Sequence, residues 1–443
     1  MKNAFNSDNL LFAARRFFGP RFIPFYAWFV CGLGALFYCY EYYLRVSPSV
    51  MSSELMKFFH LDGFGFGNLT AYYYYAYTPM QFCVGLLMDR VGPRRLLTLA
   101  CLCCVAGVLL FSSTHILMLA ALGRFLIGFG SAFAFVGTLK IASIWLPPER
   151  FAFVAGSITT LGMMGALIGE MSLSALVTHL GWRETLLYAG IVGFLVMALL
   201  WLFIRDRSFG EHRTYTDTHT ATLTFRPLFK SFFIALRTKQ IWIAGTIGCF
   251  LYLPLSALAE LWGVPYLSQV YHLSTSTAAT LCSMIFLGWA VGGPIAGFVS
   301  DHLLVRRAPL MVGAFVSCIL FMIILYASHL PLGLLGFLLF LFGVFNSVES
   351  ITFAIGKEAA PKQIAGTAVA LINTLVMVGG VIFQPLIGEL LDIHAHTTLG
   401  HVAPIYSVAD YRFALLVIPL GLIVAFILSF YLKEKPPLLS PPT

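Results

Sequence analysis

The chain has 443 residues, of which 59% are hydrophobic and 10% charged, and its mean hydropathy is +0.87. A soluble domain carries about a quarter charged residues, so this chain cannot cover a globular surface and belongs in a membrane. Its formal charge of +8 does not point to nucleic acid, because Lys and Arg gather on one side of the apolar runs.

The first twenty residues carry Asp8, Arg15 and Arg16 among short apolar pieces and lack a cleavable signal-peptide pattern. Residues 10–18 read as a basic amphipathic segment on the inner surface or as a frayed tail. A span needs about 20 predominantly apolar residues. Twelve are predicted, at 22–46, 66–88, 95–114, 116–146, 151–177, 183–205, 240–268, 277–299, 308–328, 331–356, 363–391 and 411–432. The expected fold is an all-α membrane protein of twelve transmembrane helices in two pseudo-symmetric six-helix bundles.

The longest polar stretch, 206–239, holds Arg213, His219, Arg226, Lys230, Arg237 and Lys239. It divides the chain into an N-terminal bundle (1–205), a cytoplasmic loop (206–239) and a C-terminal bundle (240–443). With the N-terminus inside, only Lys57, Arg183 and Arg412 lie outside and Arg45, Arg124 and Lys140 lie within spans, so the other 21 of the 27 basic residues face the cytoplasm. Both termini are therefore expected inside, at the cell (inner) membrane. All nine cysteines fall in apolar spans, and Cys101-Leu-Cys103-Cys104 reads as small core residues.

The halves repeat. Gly85-Leu-Leu-Met-Asp89-Arg90 closes span two, Gly297-Phe-Val-Ser-Asp301 closes span eight, and the basic pairs Arg94–Arg95 and Arg306–Arg307 follow. Gly at these ends lets two helices approach closely, and Asp can cap a neighbouring helix N-terminus. Gly85, Asp89, Arg90, Arg94, Asp301 and Arg306 are thus the expected gating residues.

On these residues the chain resembles the major facilitator superfamily over nearly its whole length. Gly85, Leu87, Asp89, Arg90, Gly92, Arg94 and Arg95 match its loop signature, with Pro93 inserted. Arg124-Phe-Leu-Ile-Gly128-Phe-Gly130, Trp145-Leu-Pro-Pro-Glu149-Arg150 and Gly181-Trp-Arg183 match further family segments. Tyr43-Leu-Arg45-Val-Ser47 resembles the first-helix segment of the anion:cation symporter branch and its bacterial and lysosomal relatives, which implies that Arg45 binds a substrate carboxylate. That branch commonly has a Glu near Gly130, where this chain has Ser131 and Ala132.

Ionised side chains in a span cost roughly 2.5–3.5 kcal/mol each on insertion scales, so those present need a reason. Glu41 and Arg45 share a helix face, with Tyr38 continuing the stripe; they either meet a charged solute or neutralise each other. Arg124 reads as a cavity residue or a helix anchor, and Lys140 as a snorkelling or a cavity side chain. Glu260, in the repeat partner of helix one, falls near the place of Glu41, and Gly263 and Pro265 are expected to loosen its helix. All eleven histidines lie in predicted loops, which leaves Glu41, Glu170, Glu260 and Glu349 as candidates for proton coupling. Glu389 and Asp392 read as solvated at an outer helix end. His394, His396 and His401 with Asp392 do not have a diagnostic metal spacing, and no metal or cofactor is expected.

Within Tyr72-Tyr-Tyr-Tyr75-Ala-Tyr77, the face holding Tyr74, Tyr77 and Gln81 can line a cavity beside Tyr38, or all can be core aromatics. Asn346 and Glu349 share a face of helix ten; Asn373 and Gln384 share one of helix eleven around Gly380. Gly162, Gly165 and Gly169 give helix five a close-packing face, and the Gly-Pro-Gly-Gly pattern of family antiporters is absent there. The expected substrate contacts are Arg45, Tyr38, Tyr74, Tyr77, Gln81, Arg124, Asn346 and Asn373. Proton-coupled uptake of a small organic anion or zwitterion (amino acid, short peptide, sugar acid or carboxylate siderophore) is the leading expectation; a proton-coupled exporter or drug antiporter is the alternative. A sensor would need a sizeable soluble domain, and no enzyme motif is present. The expected partners are the substrate, protons and lipid, with the chain a monomer.

Overall fold

A computed structural model describes residues 22–147, 150–206, 232–303, 305–327, 330–361, 364–395 and 404–434. The 10–18 segment, Glu149, most of the 206–239 connection (with Arg213, His219, Arg226 and Lys230), His396 and His401 lie outside the described residues.

Twelve rods account for the described helices. The first is α1 (Phe22–Val50), followed by the short α2 (Ser52–Phe59), α3 (Gly63–Val91) and α4 (Pro93–Ser113). The fourth rod is α5 (Leu117–Ser131) continued by α6 (Ala134–Trp145); α7 (Phe151–Leu180) and α8 (Trp182–Phe203) complete the first bundle. The second bundle opens with α9 (Lys239–Leu253), a π-helical stretch (Pro254–Trp262) and α10 (Gly263–Val270), then α11 (Thr275–Leu303) and α12 (Arg307–Tyr326). It ends with α13 (Leu332–Asn346), a 3₁₀ turn (Ser347–Ser350) and α14 (Ile351–Ala359), then α15 (Ala365–His394), α16 (Val408–Leu415) and α17 (Val417–Ser429). Ten rods are long and apolar enough to cross a membrane. The two others, α1 and α3, have 29 residues each; in α3 the tyrosine-rich face lowers the apolar character.

Packing repeats six rods later. The α1–α7 pair corresponds to α9–α15, α4–α8 to α12–α17, and the contacts of rods two and four to α11–α13. Between bundles, α3 packs on α15 and α7 on α11, which is again one contact and its symmetry mate.

The loosening of the seventh rod is displaced from the sequence expectation. It begins at Pro254, not at Gly263 and Pro265, which lie in regular helix. Proline has no N–H for the preceding turn, and the wider π turn takes up the missing bond. Three histidines, His179, His302 and His394, occupy last helical turns and not loops.

The α3–α15 seam is tight where α3 begins. A Cβ on Gly67 would meet Gln384 C and Pro385 Cα at 2.8 Å, and one on Gly388 would meet Phe64 N at 2.8 Å. Asp392, expected to be solvated, instead caps α3 across the seam: its carboxylate accepts from Gly63 N (3.0 Å) and Phe64 N (2.8 Å), and from Tyr406 Oη. A carboxylate is favoured there because unpaired N–H groups and the helix dipole make a helix N-terminus positive. The contact persists to Gln81, which accepts from Asn373 Nδ2 at 2.9 Å.

At Gly85 and Gly297 the expected close approach is absent, with nothing within 4 Å of an added Cβ. Asp89 caps no helix; it pairs with Lys140 Nζ at 2.8 Å, so Lys140 neither snorkels alone nor enters the central cluster. Asp301 pairs with Arg306 (2.6 Å), which also reaches Glu358 (2.8 Å). Arg94 donates from its backbone to Asp206 and from Nε to Trp201 O.

Candidate functional site

The polar centre of the molecule is built on Arg45 of α1. Its Nη2 donates to Glu41 Oε1 (2.9 Å), as the one-turn spacing requires. Nε donates to Tyr73 Oη (2.9 Å) and Nη1 to Tyr252 Oη (3.2 Å), with Glu260 Oε1 at 3.7 Å from the same nitrogen. Tyr73 donates onward to Glu41 Oε2 (3.0 Å), Tyr252 to Glu260 Oε1 (3.4 Å), and Tyr74 to Glu260 Oε2. The rings of Tyr42, Tyr73 and Tyr77 lie 4.2, 5.0 and 5.1 Å from the guanidinium carbon. Glu41, Arg45 and Glu260 are 0, 2 and 1% exposed, so this conformation shields the cluster from solvent.

Two bundles therefore share one ion cluster. Glu41, Arg45, Tyr73 and Tyr74 come from the first bundle, Tyr252 and Glu260 from the second. Desolvating each ion costs several kcal/mol, and such a group persists when its lone pairs and protons are matched. Here the tyrosine hydroxyls do the matching: Tyr73 and Tyr252 each accept from Arg45 and donate to a carboxylate, and Tyr74 donates to Glu260.

Arg124 of α5 is a second buried guanidinium, 3% exposed. Its Nη1 donates to Leu44 O at 3.1 Å, its Nε has no partner, and its guanidinium carbon lies 5.5 Å from the centre of the Tyr73 ring. Among the described residues no carboxylate pairs with it. A buried cation so placed is an open valence for an anion.

The structure thus brings Arg45, Tyr74, Tyr77, Glu41 and Glu260 together, with Arg124 adjoining. Tyr38 sits at the cluster's edge, against Tyr42 and Phe135. Gln81 and Asn373 bond each other instead, and Asn346 donates to Phe342 O of its own helix (2.7 Å), its Oδ1 unpartnered. Glu349 is buried apart with Oε1 unpartnered, and Glu170 lies at the α7–α11 seam. Sequence reasoning missed Tyr42, Tyr73 and Tyr252. The signal for them was Arg45 itself: a guanidinium with five N–H donors cannot be satisfied by one Glu.

Of His394, His396, His401 and Asp392, the two that are described are engaged elsewhere. His394 pairs with Asp410 at 2.5 Å and Asp392 serves α3. Elsewhere, the helix-five glycines do pack as expected, Gly162 on Tyr38 and Gly165 on the Cys39 backbone.

Two symmetry-related bundles of membrane-crossing helices that enclose a buried ion cluster define a multi-pass membrane transporter. The chain belongs to the Major Facilitator Superfamily, whose family model matches residues 31–384; it is a secondary transporter and not an enzyme. It is similar to GudP of Bacillus subtilis, a probable galactarate/D-glucarate transporter, with 23% identity over 82% of this chain and 86% of that one. It is also similar to SauU of Cupriavidus necator, a probable sulfoacetate transporter, at 24% over 82% and 87%. Its fold matches the crystal structure of a bacterial homologue of the human lysosomal transporter Spinster. That match has a TM-score of 0.74 and 15% identity, covering 92% of this chain and 97% of the other.

Proposed function

We propose that the chain takes up a small organic acid together with protons by alternating access, the bundles 1–205 and 240–443 rocking about the Arg45 cluster. The observation that carries this reading is Arg124, a buried cation without a carboxylate, beside Arg45. Two guanidinium groups suit an acid with one or two anionic groups, since the planar fork matches carboxylate geometry. The surrounding hydroxyls of Tyr73, Tyr74 and Tyr252 suit a hydroxylated chain, and the sugar-acid and sulfoacetate relatives have acidic substrates of this size class.

Charge balance supports the proton. Arg45 and Arg124 carry two positive charges, Glu41 and Glu260 two negative ones. An anion arriving alone would leave an uncompensated charge in a low-dielectric interior, at a cost of several kcal/mol. If a monoanion takes the Glu260 position on Arg45 and Glu260 takes a proton, the cluster stays neutral; a dianion calls for a second proton, for which Glu41 is the other carboxylate of the cluster. In the N-inside orientation favoured by the basic residues, the Asp392-capped end of the α3–α15 seam faces outward and is shut, while the Gly85 end faces the cytoplasm.

The test is uptake of D-glucarate and of sulfoacetate in proteoliposomes under an inward proton gradient, with Arg45→Lys, Arg45→Ala and Arg124→Gln. Hydrogen bonds to charged groups contribute about 1.5–3 kcal/mol, so each variant should weaken the apparent affinity by roughly 10- to 150-fold. Unchanged affinity in both Arg45 variants rejects Arg45 as the anion contact, and accumulation driven by an outward gradient rejects symport.

A further inference from the structure

Glu170 of α7 is 0% exposed and stands at the other inter-bundle seam, where α7 meets α11. Its Oε1 lies 3.2 Å from Ser49 Oγ of α1, and its Oε2 has no hydrogen-bond partner. Cys282 of α11 is its neighbour across the seam. The donors in this pocket are few and shared. Ser49 has one hydroxyl hydrogen for two acceptors, Val46 O at 2.8 Å and Glu170 Oε1 at 3.2 Å. The Cys282 thiol, a weak donor, is likewise shared between Ala259 O at 3.6 Å and Glu170. Among the described residues no Lys, Arg or His bonds to Glu170; the ionisable groups that act on it are Cys282 and, at longer range, Glu260 of the π-helical stretch. A bare carboxylate at this buried seam would have no counter-ion and one oxygen without a donor, which favours the protonated acid there.

We propose that Glu170 is a second proton-binding site, separate from the Arg45 cluster, whose bound proton holds the α7–α11 seam shut and whose release opens that seam to water. Glu170 and Cys282 come from different bundles, so parting the bundles here is the direct way to hydrate the carboxylate. This extends the transport reading but does not depend on the substrate, because seam opening can be read without transport.

Cys282 is a built-in reporter. The full-length protein in lipid nanodiscs is exposed to N-ethylmaleimide at a series of pH values, and modification of the Cys282 peptide is followed by mass spectrometry, with Cys282→Ser assigning the signal. Thiol reactivity itself rises with pH, so the quantity read is the ratio of wild type to Glu170→Gln. One linked proton permits up to about ten-fold change per pH unit, and the ratio should climb towards that slope above the transition. Ser49→Ala, which removes a donor to the carboxylate, should move the transition to higher pH and provides a readout if the Gln variant folds poorly. A ratio that stays flat, or a Ser49→Ala profile that coincides with wild type, overturns the proposal. If pH-gated labelling is seen but proton-driven uptake is not, the site stands and the symport reading falls.

Discussion

Replacing Gly67 by Ala tests which end of the molecule is closed. The added methyl would stand 2.8 Å from Gln384 C and from Pro385 Cα. Real Cβ atoms rarely come within 3.4 Å of such atoms, and Gln384 O is nearer still, so α3 and α15 must part by at least about 0.6 Å at this level. Both obstacles are backbone and cannot swing aside as a side chain would. Overpacking of this kind costs about 1–3 kcal/mol, which favours the open seam by roughly 5- to 150-fold. The helix stays intact, because Gly67 lies inside α3, in its second turn, where Ala is the better helix former. Hydrogen-exchange mass spectrometry reads the shift without labels. The Gly63 and Phe64 amides are bonded to Asp392 only while the seam is shut, so their exchange should accelerate by the same factor when opening limits exchange. Gly85→Ala and Gly297→Ala are the controls, as each has nothing within 4 Å. Unchanged exchange at the start of α3 in Gly67→Ala, or equal acceleration in the controls, would refute the closed-seam geometry.

Two further predictions contrast a buried network with an exposed one. Tyr252→Phe removes the hydroxyl that links Arg45 to Glu260; leaving buried polar groups short of a partner costs about 1–3 kcal/mol, to be seen as a lowered melting temperature and a raised KM. Arg306→Gln breaks pairs with Asp301 and Glu358, whose side chains are 72 and 39% exposed. Pairs of that kind contribute about 0–1 kcal/mol, so its melting temperature should stay within a degree or two of wild type, and a fall as large as that of Tyr252→Phe would contradict the ranking.

The apolar runs were legible because a lipid-spanning helix leaves a run of fixed length, and the repeat was legible because both copies kept Gly and Asp at the same place. The Glu41–Arg45 pair followed from helix periodicity alone. The assignment of Glu260 to the same cluster followed from aligning the halves. What periodicity could not supply was the other side of each helix. Tyr73 was grouped away from Tyr74 and Tyr77, yet in a bundle a central helix is enclosed on nearly every side, and Tyr73 lies between Arg45 and Arg124. Gln81 and Asn373 were read as solute contacts, and in this conformation Asn373 donates to Gln81 Oε1 while Gln81 Nε2 has no partner. The gating glycines depend on conformation. Gly85 and Gly297 carry the repeated motif, while in this state the bundles touch at Gly63, Gly67 and Gly388, and no single sequence distinguishes a contact made now from one made in the opposite state.

One residue joins the seam to the ion cluster. Tyr74 donates its hydroxyl to Glu260, and its ring lies over Gly380 of α15, where a Cβ would meet ring carbons at 2.5 to 2.6 Å. An anion that takes Arg45 from Glu260 therefore changes the acceptor on which Tyr74 depends, and Tyr74 is already wedged in the α3–α15 interface. If Glu260 turns away to take its proton, Tyr74 loses its bond and gains freedom against Gly380, at the same level of the seam that Gly67 and Gln384 hold shut further along. A loaded Glu260 and a loosened seam are then two consequences of one displacement. On the proposed mechanism, that link gives a reason for the cluster to draw its carboxylates from both bundles: a pair confined to α1 could bind an anion, but nothing in its rearrangement would reach the interface that has to open.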